Sequence, residues 1–143
     1  MSQERRVRRS KAQESLLSEL SEGIFTTLAD ALVFAASVGY EAQVRKSFDA
    51  AAESIRYGTF ETRNVAHIID LLAFAESGEV EILADSRLGD RIEVFEELAE
   101  GGMTQIAARR ALEPNLLDTC LAFLAEEEQD SLEANILREL DGV

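Results

Sequence analysis

Cysteine, histidine, proline and lysine are nearly missing from this chain, and each scarcity closes off a class of chemistry. Cys120 is the single cysteine, so neither an intramolecular disulfide framework nor a thiolate cluster is available. It stands inside the apolar run LLDTCLAFLA, where a small buried hydrophobe is the expected role. His67 is the single histidine, which excludes Cys–His and paired-His zinc sites within one chain. Its place on an apolar helix beside Ile68 reads as a packed or surface histidine. The eight glycines are isolated apart from Gly101 and Gly102, and neither a glycine-rich phosphate loop nor a serine-centred nucleophile elbow is present. No stretch approaches the roughly 20 apolar residues of a membrane helix. The arginine-rich start has no apolar run behind it, so neither a span nor a secretory signal is expected. The expectation is a cytoplasmic protein without cofactor, metal site or catalytic residues, and therefore not an enzyme.

What the chain has in excess is acid. Its 28 Asp and Glu against 14 Lys and Arg give a formal net charge of -14. The distribution is uneven: within residues 1–11, Arg5, Arg6, Arg8, Arg9 and Lys11 face only Glu4, a net of +4 that leaves -18 for the remainder. Residues 1–11 therefore read as a basic arm or edge strand, and 12–143 as a single helical domain, the default for 143 residues with 46% hydrophobic content. Lys11 and Lys46 are the two lysines, while acids are scattered along every predicted helix. That composition resembles a halophilic proteome, in which high net charge keeps a protein dispersed; an ordinary acidic cytosolic protein is the alternative. At about 1 M salt the Debye length falls to about 3 Å, so the acidity alone carries little functional meaning.

Apolar spacing predicts helices separated by single breakers. Ser10 is placed to cap a helix carrying Ala12, Leu16, Leu17 and Leu20 that ends at Gly23. Thr26 or Thr27 then caps TLADALVFAASV, apolar nearly all round until Gly39. A helix is expected around 44–52, a short strand within SIRYGTF at 54–60, and a helix from Asn64 to a stop at Gly78. VEIL at 80–83 reads as an extended link. Leu88, Ile92, Phe95 and Leu98 form the stripe of a helix expected to end at Gly101 and Gly102, after which Thr104 caps TQIAARRAL. Pro114 breaks that helix, Asn115 caps LLDTCLAFLAEEE, and Leu132, Ile136, Leu137 and Leu140 mark a last amphipathic helix. The fold class is mainly α: a compact array of six to seven helices, with a short N-terminal strand and one minor strand.

Two charged groups could carry function. Glu93, Glu96, Glu97 and Glu100 fall within two turns, where neighbours three or four apart repel by a few tenths of a kcal/mol. They could hold a divalent cation, but with Leu88, Ile92, Phe95 and Leu98 claiming the inner face a solvated outer face is expected. In ERRVRRS, guanidinium groups flank Val7 in a pattern suited to phosphates, or to base edges if the strand pairs with a second copy. A strand, a helix, a turn and a helix is the length pattern of ribbon-helix-helix proteins, which dimerise through the strand and lay the ribbon in the major groove. DNA contact by Arg5, Arg6, Arg8, Arg9 and Lys11, in a homodimer, is the sharper expectation. A disordered tail, or an arm docked on the acidic body, is the alternative. Two copies with four or five cations each would give a log-log salt slope of up to about -8.

Three stretches carry a resemblance: RVRRSKAQESLLSELSEGIFTTLADALVFAASVGY at 6–40, IIDLLAFAESGEVEILAD at 68–85 and FEELAEGG at 95–102. Together, over roughly two-thirds of the chain, they resemble the DNA phosphorothioation-associated protein 4 family, encoded beside the dnd genes. LVFAASVGY, with Phe34, Ala35, Ala36 and Gly39, and the pair FEE with GG are its most specific elements. The resemblance implies membership of an antiviral defence locus that replaces a phosphate oxygen of DNA with sulfur, or restricts unmarked DNA. Sulfur transfer needs a cysteine desulfurase, an iron–sulfur protein and an ATPase, and none of their signatures is here. What the resemblance implies is an accessory, regulatory or assembly role beside other proteins of that restriction-modification system.

Overall fold

From Arg6 to Arg9 exposed and buried residues alternate, the period of a strand. In the computed structural model, which describes residues 5–113 and 115–123, β1 (Arg6–Val7) pairs antiparallel with β2 (Ile55–Arg56), in the register Arg6 to Arg56 and Val7 to Ile55. The pairing continues on both sides. The Tyr57 amide donates to Arg5 O at 2.9 Å, Ala52 to Arg9 O at 2.9 Å, and the Lys11 amide to Ala50 O at 3.0 Å. The ribbon is thus closed within one chain, where a ribbon-helix-helix protein would take its second strand from another copy.

Helix α1 (Glu14–Gly23) starts after Gln13 and buries Leu17 and Leu20. Ser10 does not cap it, because Ser10 is held in a bridge with Ala51. Thr27 does cap α2 (Leu28–Ala42), its hydroxyl accepting from the Asp30 amide at 3.1 Å. The expected stop at Gly39 is overrun: α2 continues to Ala42 and ends on Gln43 in the left-handed region at φ 57°. Nor is there a helix at 44–52. That segment runs along α5 (Leu88–Arg110), with the Lys46 amide donating to Glu97 O at 3.0 Å, and then along the arm. Backbone groups used sideways in this way are not free to close helical turns.

SIRYGTF is a strand only at Ile55–Arg56, since Tyr57–Thr62 coils into α3 and sinks Phe60 into the core. Asn64 is a left-handed joint at φ 60° ahead of the helix rather than its first residue, and α4 (Ala66–Ser77) stops at Gly78 with φ 69°, as the sequence predicts. VEIL is a tight 3-10 turn with Ile82 buried, not an extended link. α5 passes straight through Gly101, Gly102 and Thr104, which therefore neither end nor begin a helix.

The reason is packing. A Cβ on Gly102 would overlap the carbonyl of Ala35, one on Gly101 that of Val44, and one on Gly39 that of Leu98. These glycines let α2 and α5 cross main chain against main chain, and the contact offsets the roughly 1 kcal/mol that glycine loses to alanine inside a helix. Around that crossing lies the core, where Phe60 and Phe95 meet edge to face with centroids 5.7 Å apart. The fold is mainly α, with a small two-stranded sheet on α5. Among the described residues no single helix is long and apolar enough to cross a membrane; α1 and α2 together reach that composition but are bent by 113° at their junction. Asn115 caps residues 116–123, its side-chain oxygen accepting from the Asp118 amide at 2.8 Å. Cys120 is buried there, and burial pushes its thiol pKa up. Pro114 and the last amphipathic helix, with Leu132, Ile136, Leu137 and Leu140, lie outside the described residues.

Candidate functional site

Strand alternation decides where the arm's cations go. Val7 and Arg9 face inward and are buried. The Arg9 guanidinium donates to Glu53 O at 2.7 Å and pairs with Glu14 at 3.9 Å, so it secures the arm to the body. Arg8 is half exposed and reaches Glu96 with Nη2 at 3.2 Å from Oε1, while its own backbone amide also donates to that carboxylate. Its guanidinium lies 5.0 Å over the Phe48 ring, a cation–π contact. Arg5, Arg6 and Lys11 are exposed. The five expected DNA contacts are therefore not one set: two hold the arm down and three face out.

The glutamate cluster divides as well, which corrects the expectation of a solvated outer face. Glu93 is exposed and Glu97 partly covered, but Glu96 and Glu100 are 4% and 9% exposed. The ribbon and segment 44–52 cover the side of α5 that a single apolar stripe leaves polar. Arg8 meets Glu96, while Ser10 and Gln13 meet Glu100, which also feels the charge of Lys46. Burial raises the pKa of both carboxyls and outweighs the hydrogen bonds that lower it. The cavity beside them, between Leu17, Phe48 and Met103, measures about 10 Å³, room for about one water. A spacing rule could have found this pairing: strand positions 8 and 10 lie about 6.7 Å apart and helix positions 96 and 100 about 6 Å apart, so the two rows match.

On the other flank, Arg91 is 7% exposed and donates to Asp70 at 2.7 Å, Ile82 O at 2.6 Å and Ala84 O at 2.8 Å. It clamps the Val80–Leu83 turn against α4 and α5. Held outward by this clamp are Leu71 and Phe74, one turn apart on α4, and Val80 and Leu83, three apart on the turn. Leu71 and Val80 are 61% and 62% exposed. Sequence reasoning did not single these residues out, although the signal was present: α4 carries apolar residues beyond the Ile69, Leu72 and Ala73 stripe that it buries. His67 is exposed one turn before Leu71. Among the described residues no three His, Cys, Asp or Glu side chains converge to hold a metal ion.

A search of curated proteins and one of solved structures each returned no match. A family model described as DNA sulphur modification system-associated protein 4 matches residues 6–141, a span that contains the ribbon, the glycine crossing and the apolar α4 face. The chain therefore belongs to the DNA sulphur modification system-associated protein 4 family.

Proposed function

We propose that this chain is a non-enzymatic accessory component of a DNA sulphur modification system, and that it works in the cytoplasm by docking another protein of that system through the outer face of α4 and the Val80–Leu83 turn. The family ties the chain to such a system. The observation that carries the docking reading is the outward set Leu71, Phe74, Val80 and Leu83, on a helix and a turn that the buried Arg91 ties together. Apolar side chains exposed together on rigid elements mark contact surfaces. A non-enzymatic role is supported by Glu96 and Glu100, the buried acids best placed for proton transfer, which are engaged by the arm beside a cavity too small for a substrate.

Co-expression with the modification and restriction proteins of the same locus, followed by affinity capture in the presence of nuclease, tests this. Leu71→Glu, at a side chain 61% exposed, should leave the helical content and Tm unchanged, Phe74→Glu, at one 39% exposed, should keep the helical content with a modest loss of Tm, and each should lower capture at least tenfold. Undiminished capture by the double variant would sink the docking face. A second reading, direct DNA contact, is favoured by one observation, the outward cations of the ribbon. A transcriptional role would show as recovery of an operator fragment from the same locus.

A further inference from the structure

The apolar side chains that α4 and its following turn hold outward do not stand on a neutral background. Leu71 and Phe74 lie one helical turn apart, and Val80 and Leu83 lie three apart on the 3-10 turn, so each pair shares a side of its own element. The turn packs against α4, and Arg91 joins the two by donating to Asp70 on α4 and to Ile82 O in the turn. Across residues 64–86 the acids are Asp70, Glu76, Glu79, Glu81 and Asp85, and that stretch holds no lysine or arginine.

Those acids fall into two groups. On α4 the carboxylates are answered from within the fold, where Arg91 takes Asp70 at 2.7 Å and Arg45 reaches Glu76 at 3.9 Å. On the turn they are not. Glu79, Glu81 and Asp85 are exposed and make no ion pair among the described residues. Arg87, the next cation along the chain, donates to Asp90, and the charges of Glu79 and Glu81 act on it less strongly than Asp90 does. Glu79 and Glu81 are the immediate neighbours of Val80, with Cα atoms about 3.8 Å away, so carboxylates border that side chain whichever way each of them points. Asp85 stands two residues beyond Leu83.

We infer that the partner taken by this face is a protein surface whose anchoring apolar side chains are flanked by lysine or arginine, the cations pairing with Glu79, Glu81 and Asp85. The inference rests on the docking reading given above and adds to it the chemistry of the partner. An apolar centre with a polar rim is the ordinary build of a contact surface, and arginine is enriched in such surfaces. A charge-assisted N–H···O bond of about 2.8 Å is shorter than the Debye length of about 3 Å at 1 M salt. The rim therefore supplies pairing at contact rather than attraction from a distance, and it keeps that role in salt that screens the rest of the acidic surface. The same three carboxylates disfavour the other occupants of an exposed apolar face, because duplex DNA and an anionic lipid surface would each bring negative charge against them.

The probe is the protein of the locus that the co-expression capture recovers, purified and immobilised, with the full chain in solution. Glu79→Gln combined with Glu81→Gln should weaken binding about three- to tenfold and flatten its salt dependence, with the helical content of the parent by circular dichroism. Glu22→Gln combined with Glu41→Gln removes the same charge from exposed positions on α1 and α2 and should change neither. Equal losses in the two pairs, or a rim pair that binds like the parent, overturn the inference. So does binding to phosphatidylglycerol vesicles that Leu71→Glu abolishes, which would assign the face to lipid. Leu71→Glu also separates the two proposals. Binding that survives it, or no recovery by the parent, removes the docking face and this inference together. Binding lost in Leu71→Glu but intact in the rim pair removes the partner's chemistry alone.

Discussion

Glu96 and Glu100 show what a residue's neighbours do to its charge. An unfolded chain titrates its glutamates near pH 4.3, and in the fold burial places both higher. Between the two values the folded state binds protons more readily than the unfolded one. Their contribution to stability is therefore full below the unfolded value and is lost as pH rises through the folded one. We expect these two groups to lower Tm as pH rises above the unfolded glutamate value, and Glu100→Gln, which mimics the protonated form, to flatten that fall and leave Tm at neutral pH equal or higher. An unaltered slope in this variant means that the pH dependence comes from elsewhere in the chain. At the same scale, two glycines make opposite forecasts. Gly58, in α3, has open space where a Cβ would go, so Gly58→Ala should stabilise by roughly 0.4–1 kcal/mol. Gly102→Ala meets the Ala35 carbonyl and should destabilise by about 3 kcal/mol despite its better helix propensity. Urea denaturation of the pair settles it, and equal effects of the two would refute the crossing.

At the level of elements, what repeats along one segment was legible, and what depends on a distant segment was not. The stop at Gly78 and the caps at Thr27 and Asn115 follow from local chemistry, and each stands where the residues point. Gly39, Gly101 and Gly102 read as stops because glycine ends helices in isolation; their use as contact points needs α2 and α5 side by side, which no window of sequence contains. The missing helix at 44–52 has the same origin, its amides being taken by Glu97 O and by the arm. The arm itself was read as a phosphate-contacting set of five, but only alternation against β2 separates Arg6 from Arg9. The Val80–Leu83 turn offers a test at this scale. Arg91→Ala would leave the carbonyls of Ile82 and Ala84 without their donor and Asp70 without its partner, at a loss of about 3 kcal/mol. Hydrogen exchange should quicken first at residues 82–84, and uniform quickening across α4 and α5 would show that the clamp is not local.

Across the whole molecule, one scaffold presents two different chemistries to its surroundings. Guanidinium groups face out from the ribbon beside α5, and apolar side chains face out from α4 and its following turn, while the sum of charge stays strongly negative. Both rest on the crossing of α2 and α5. Because that joint is backbone on backbone, it has no rotamers to relax and no methyl groups to trade, so the rods cannot slip past one another by degrees. The protein then behaves as a gauge block: whatever α4 and its following turn grip is set at a constant distance from the ribbon.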